Sequence, residues 1–162
     1  MTDTGIGPDA FRELLGRFAT GVTVITTVSS DGAPVGMTAN SVTSVSLDPP
    51  LLLICVDHES TMHRDLAQAA GFVINVLASD QEAVSRRFAE NHDDRFSGIG
   101  YRPGPHGAPI LHGVLAYIEC TRDSSIEAGD HTIFVGRVTG GGAESGHPLV
   151  FYRGGYGELK SR

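Results

Sequence analysis

From Gly36 the chain reads Gly36-Met37-Thr38-Ala39-Asn40-Ser41-Val42-Thr43-Ser44-Val45-Ser46-Leu47-Asp48-Pro49-Pro50, and the apolar run Leu51-Leu52-Leu53-Ile54-Cys55-Val56 follows at once. Hydroxyls and the Asn40 amide both donate and accept hydrogen bonds, and main-chain N–H groups add further donors. The apolar run predicts a fully buried strand beside this polar row. Such a row can hold the polar tail of a ligand at a sheet edge. Hydroxyls of this kind also satisfy neighbouring backbone groups in ordinary barrels, so composition leaves both readings open.

Other candidate groups carry less. Asp57, His58, Glu59 and His63, then His92, Asp93 and Asp94, are of metal-ligating types. His58 and His63 are five apart across a predicted loop-to-helix boundary, which does not put them on one helix face, and no metal site is expected. His131 opens a predicted strand, where a hydrogen-bonded structural histidine is the plain reading. Tyr152 and Tyr156 flank Gly154 and Gly155. Aromatics there can fill a barrel end, while the glycines let backbone approach a ligand closely.

Local signatures of hydrolytic and nucleotide-binding chemistry are missing. The sequence has no phosphate loop, no serine nucleophile elbow and no His-Glu-x-x-His pair. Gly140-Gly141-Gly142 and Gly154-Gly155 do not lie between a predicted strand and a helix, which argues against a dinucleotide fingerprint of the parallel crossover type.

The elements that must position these residues can be sketched from periodicity. Phe11, Leu14, Leu15 and Phe18 recur at helical spacing, with Asp9 as the expected cap and Gly21 past the end. Residues 20–30 alternate as a strand, and Asp31-Gly32 predicts a two-residue hairpin turn into 33–38. Ser60 is the expected cap of a short helix carrying Met62, Leu66 and Ala70, stopped by Gly71. Residues 72–77 read as a strand, and Ser79 with Glu82 as the capping box of a helix that carries Val84 and Phe88 and ends near Ala89. Residues 91–113, rich in Gly, Pro, Asp and His, read as a long surface loop. Strands are expected at 114–121, 131–139 and 149–152. Six or seven strands joined mostly by tight turns predict a mainly β protein, a closed or nearly closed antiparallel barrel with peripheral helices.

Composition bounds the function class. With 162 residues, 40% of them hydrophobic, the chain reads as one domain over 1–162, with 1–8 and 158–162 as flexible ends. The formal charge of −7 with scattered basic residues argues against nucleic acid and anionic membranes as partners and favours a small molecule. Cys55 and Cys120 sit in apolar runs as small buried hydrophobes. The longest apolar run is six residues and residues 1–8 have no signal-like apolar stretch, so a cytoplasmic setting is expected.

Five motifs in order carry a resemblance. At Thr20-Gly21-Val22-Thr23-Val24-Ile25-Thr26-Thr27, the 37–50 segment, Arg87-Phe88-Ala89, Gly129-Asp130-His131 and Leu149-Val150-Phe151-Tyr152-Arg153-Gly154-Gly155-Tyr156-Gly157, the chain resembles the flavin reductase-like family. These are the small reductase components of two-component flavin-dependent monooxygenases, and the likeness spans about residues 11–157. It implies an antiparallel split β-barrel of the flavin-binding type, a homodimer, and hydride transfer from NADH or NADPH to FMN or FAD, with the reduced flavin released to a partner oxygenase. Carried over by position, Thr38, Ala39, Asn40 and Ser41 would lie along the isoalloxazine ring, with Met37 also at the cofactor. Ser44, Ser60 and Thr61 would meet the ribityl-phosphate. The main chain around Cys55 and Val56 would flank the flavin, and Phe88, Ala89, Arg95 and Phe96 would close the far side. His131, Tyr152, Gly154 and Tyr156 would meet the nicotinamide nucleotide, with His131 as the catalytic residue. No arginine pair for a 2′-phosphate stands out, which favours NADH. A barrel that keeps a tightly bound FMN for a dedicated substrate, and a non-catalytic flavin- or haem-binding barrel, remain alternatives.

Overall fold

The computed structural model describes residues 5–91 and 93–160. In chain order the elements are α1 (Pro8–Leu15), β1 (Thr20–Gly21), β2 (Thr23–Val28), β3 (Pro34–Ala39), β4 (Val42–Leu47), β5 (Pro50–Asp57), α2 (Thr61–Gln68), β6 (Gly71–Val76) and α3 (Glu82–Ala89). Then follow β7 (Tyr101–Pro103), a 3-10 turn (Pro105–Gly107), β8 (Pro109–Leu111), β9 (Ala116–Ala128), β10 (His131–Ala143), β11 (Val150–Tyr152) and β12 (Gly155–Gly157). Seven strands form one sheet in the order β3-β2-β6-β9-β10-β5-β4, every pair antiparallel. β1, β11 and β12 make a small second sheet, and β7 with β8 a third.

The two edge strands of the large sheet are consecutive in the chain. β3 ends at Ala39 and β4 begins at Val42, so only three virtual bonds of about 3.8 Å separate strands that would stand about 29 Å apart in a flat seven-stranded sheet. The sheet therefore curls until its edges meet at Asn40 and Ser41. Among the described residues no ladder joins β3 to β4, so the curl stops short of a closed barrel.

Curling gives β2 and β6 two covered faces. Inside lie Ile25, Leu52, Ile54, Val56, Phe72, Ile74, Cys120 and Phe134, plugged at one end by Met62 and Leu66 of α2. Outside, Val22 and Val24 pack with Leu77, Phe88, Leu111, Val114 and Leu149 under α3. Residues 23–27 are consequently all buried, although their sequence alternates. Burial pushes the Cys120 thiol up to about 12, so it stays a neutral hydrophobe in this core.

Several expectations are corrected. The 51–56 run is not fully buried: Leu52, Ile54 and Val56 face the core, while Leu51, Leu53 and Cys55 are half-exposed because nothing among the described residues fully covers the outer face of β5. The 31–32 turn is longer than two residues. Ser29 N–H bonds the Ala33 carbonyl (2.9 Å), Gly32 N–H bonds the Ser29 carbonyl (2.9 Å), and Gly32 takes φ 82°. That is a three-residue loop closed by a left-handed glycine. α1 begins one residue before Asp9, is capped by Gly7 without a side-chain bond, and ends at Leu15. Its Phe11, Leu14 and Leu15 are exposed, as is Phe18 beyond it.

Ser60 does cap α2, its hydroxyl oxygen accepting from Met62 N–H (3.3 Å). The helix ends at Gln68, short of Ala70. Ser79 makes no capping box for α3; instead Gln81 Oε1 accepts from Ala78 N–H (2.9 Å), and the helix ends at Ala89 as expected. The 91–113 segment is not all loop: β7 and β8 pair within it and bury Ala108, Ile110 and Leu111. β9 and β10 run on to thirteen residues each, a long hairpin that the shorter periodic runs did not reveal. The flexible ends fall partly on 1–4 and 161–162, outside the described residues. Pro8 is already helical, and 158–160 carry no helix or strand.

Candidate functional site

The edge of β3 and the N-terminus of α2 converge with α3 and β11–β12 around one cleft of about 390 Å³. Of the residues expected at a cofactor, Met37, Thr38, Ala39, Asn40, Ser60, Thr61, Phe88, Ala89, Arg95 and Tyr156 line it. β3 supplies the first four as its last residues and the corner beyond. α2 brings its N-cap Ser60 and first residue Thr61 to the cleft, and with them the positive end of the peptide dipoles. Phe88 is a wall because the helical face that it shares with Ser85 is the buried one.

A relay of hydrogen bonds ties the walls together. Thr38 Oγ1 donates to the Ser85 carbonyl (2.6 Å), and Ser85 Oγ and Tyr156 Oη lie 2.7 Å apart as a hydroxyl pair. Tyr156 meets Phe151 edge-to-face at 5.5 Å, and the Arg86 guanidinium sits 4.9 Å from its ring centroid. Phe88 meets Phe96 edge-to-face at 5.0 Å. At Gly36, a Cβ would come 2.8 Å from Phe88 Cε1, so the strand approaches α3 closely only because that position has no side chain.

Arg95 is the cation of the cleft. Its Nη1 donates to the Gly36 carbonyl (2.6 Å) and its Nε to the Glu90 carbonyl (2.9 Å), while Arg87 Nε in turn donates to the Arg95 carbonyl (2.7 Å). Partial burial lowers the Arg95 pKa from its ordinary value, and a guanidinium stays charged at neutral pH all the same. A second depression of about 460 Å³ shares Thr61, Asn91 and Arg95 with the cleft and has Phe96 on its wall. Donor chemistry and volume fit a ligand with a flat apolar body and an anionic tail: aromatic and aliphatic walls from Val22, Phe88, Phe151 and Tyr156, then a helix N-terminus and a guanidinium.

The remaining expected residues lie elsewhere. Ser41 is spent on structure: its hydroxyl donates to the Cys55 carbonyl (2.8 Å) and its carbonyl accepts from Cys55 N–H (3.2 Å), sealing the corner between β3 and β5. The Cys55 main chain is thus occupied, and the Val56 side chain is buried in the core. Ser44 is exposed on the edge strand β4. His131 opens β10 opposite Asp57, its Nδ1 2.7 Å from Asp130 Oδ1, and does not line the cleft. Tyr152 is exposed, and Gly154 turns the chain between β11 and β12 with φ 78°, beside α1.

Sequence reasoning passed over Val22, Glu59, Ser85, Asn91 and Phe151, which line the cleft. Two signals were available. Ser85 stands three residues before Phe88 on one helical face, and Phe151 alternates with Tyr152, so only one of that pair can face inward.

Comparison with known proteins supplies the family. Residues 15–160 match the family described as flavin reductase like domain. The chain is similar to a probable flavin reductase of Rhizobium meliloti, 47% identical over 96% of this chain and 50% of the relative, so it spans about half the length of that protein. It is also similar to the reductase subunit HsaB of a flavin-dependent monooxygenase of Rhodococcus jostii, 42% identical over 93% of this chain and 77% of the relative. Among solved structures, the Streptomyces globisporus C-1027 NADH:FAD oxidoreductase SgcE6 in complex with NAD and FAD fragments superposes with TM-score 0.90, at 38% identity and 98% coverage of both chains.

Proposed function

The chain belongs to the flavin reductase-like domain family, and from that premise we propose that it catalyses hydride transfer from NADH to FMN or FAD and passes the reduced flavin to an oxygenase partner. The observation that carries this reading is the two-sided cleft, apolar and aromatic on one wall, with the α2 N-terminus and Arg95 on another. The nicotinamide and flavin supply the redox chemistry, so the chain's task is to bind, align and shield. Met37, Thr38, Ala39 and Asn40 would offer main-chain and side-chain donors along the ring edge. Phe88 and Ala89 would form its apolar wall. Ser60, Thr61 and Arg95 would hold the phosphate, and Phe96 would border the second depression. His131, Tyr152, Gly154 and Tyr156 are assigned to the nicotinamide side, of which Tyr156 is the one that lines the cleft.

The related NADH:FAD oxidoreductase supports NADH as donor, and the related monooxygenase reductase subunit supports the oxygenase partner. A split barrel is supported by the two-residue link between the sheet's unpaired edges. Homodimerisation is supported by apolar exposure on one outer face, where Leu51, Leu53 and Cys55 of β5 are half-exposed. Light scattering of the purified chain should read the mass of two copies, and a single-copy mass at micromolar concentration overturns the dimer. Among the described residues no helix is long and apolar enough to cross a membrane, and a cytoplasmic setting accords with two unpaired thiols.

The test follows nicotinamide absorbance with purified chain and added FMN or FAD. NADH oxidation that depends on added flavin is expected; oxidation no faster than the uncatalysed background sinks the reading. In the same assay His131→Ala should raise KM for the nicotinamide or lower kcat. If neither changes, the role assigned to His131 is wrong.

A further inference from the structure

Outside the cleft, three segments far apart in sequence bring metal-ligating side chains to one point. His58, on the loop after β5, places Nε2 2.8 Å from Glu127 Oε2 near the end of β9. His63, in the first turn of α2, stacks edge-to-face on His58 with ring centroids 5.1 Å apart. One ligand atom from each of His58, His63 and Glu127 lies within 4.8 Å of the other two. The pair of histidines that sequence spacing kept apart is joined because the chain turns through Glu59 and Ser60 before α2 begins.

We propose that His58, His63 and Glu127 form a binding site for a divalent transition-metal ion of the zinc, cobalt and nickel class. Two imidazoles and a carboxylate are a borderline nitrogen and oxygen set, unsuited to calcium or magnesium, which require oxygen ligands. A tetrahedral ion about 2.1 Å from each ligand holds them about 3.4 Å apart, so the site forms by small side-chain shifts. Supporting contacts are already in place. The Thr132 hydroxyl donates to Glu127 Oε1 (2.8 Å), leaving Oε2 toward His58. Thr132 Oγ1 then accepts from His63 Nε2–H (2.7 Å), and the His63 ring packs 5.8 Å from that of Phe134. The Thr132–Glu127 bond and the Phe134 contact fix carboxylate and ring orientation before the ion arrives. His58 and Glu127 have side-chain exposures of 39% and 72%, leaving the fourth position open to water. Ligation through His63 Nε2 replaces its bond to Thr132, the Nε2 proton moving to Nδ1 or leaving to solvent.

The position has a consequence for the cleft. Glu59, Ser60 and Thr61 lie between the two histidines and line it, so an ion here ties the rim of the cleft to β9.

The experiment titrates untagged full-length protein with CoCl2 and reads the visible d–d absorption, then competes with ZnCl2. A band saturating at one equivalent and abolished by zinc is expected. His58→Ala and Glu127→Gln, both at exposed positions, should each weaken it at least about tenfold, with circular dichroism and chelator-treated melting unchanged. Absence of the band, or a band equally strong in both variants, overturns the site.

Discussion

Phe88→Ala is expected to lower the stability of the folded chain by about 3–5 kcal/mol, the range for deleting a buried aromatic ring. Phe88 is 1% exposed and sits in the outer core with Val22, Val24, Leu77, Leu111, Val114 and Leu149. Those neighbours belong to hydrogen-bonded strands or their flanks and cannot follow the missing ring, so the cavity persists. Urea unfolding gives the number, and a loss under about 1 kcal/mol would show that α3 settles into the gap. Because the same ring walls the cleft, the milder Phe88→Leu separates the two roles. This variant should fold and still bind FMN more weakly, read by quenching of flavin fluorescence. Undiminished FMN affinity removes Phe88 from the flavin wall.

Asn75→Ala should be nearly as severe, with a loss of about 3 kcal/mol from buried polar groups left without partners. Asn75 is 0% exposed in the middle of β6. Its Nδ2 donates to the Val24 carbonyl (3.1 Å) and to Thr26 Oγ1 (3.1 Å), and its Oδ1 accepts from Leu111 N–H (2.8 Å). Thr26 Oγ1 donates in turn to the Pro109 carbonyl (2.5 Å). Together they pin β8 onto the outer face of the large sheet, with which it shares no ladder among the described residues. Amide hydrogen exchange supplies a local readout. The Leu111 N–H should exchange much faster in the variant, and unchanged protection there rejects the assignment even if stability falls.

Asn75 also shows where sequence reading stopped. The strand reads Phe72-Val73-Ile74-Asn75-Val76, and nothing in those five residues says what its one polar side chain will meet. It is buried because the 91–113 segment folds back as β7 and β8 and covers that face, a contact spanning 36 residues that no local period encodes. The apolar run from Leu51 misled. Three of its side chains emerge on a face that the described residues leave half-exposed.

Periodicity and turn chemistry by themselves determined the mainly β antiparallel class, the Ser60 cap and the end of α3. Each depends on neighbours a few residues away. Motif order determined the family. Only the tertiary structure decided that Ser41 seals a corner, that Phe151 with Tyr156 faces the cleft while Tyr152 faces out, and that His58 and His63 meet Glu127. Those outcomes follow from the curl of the sheet, which brings together residues dozens of positions apart. Which groups then meet is set by strand register and by the faces left to cover, and neither is written in any short stretch of chain.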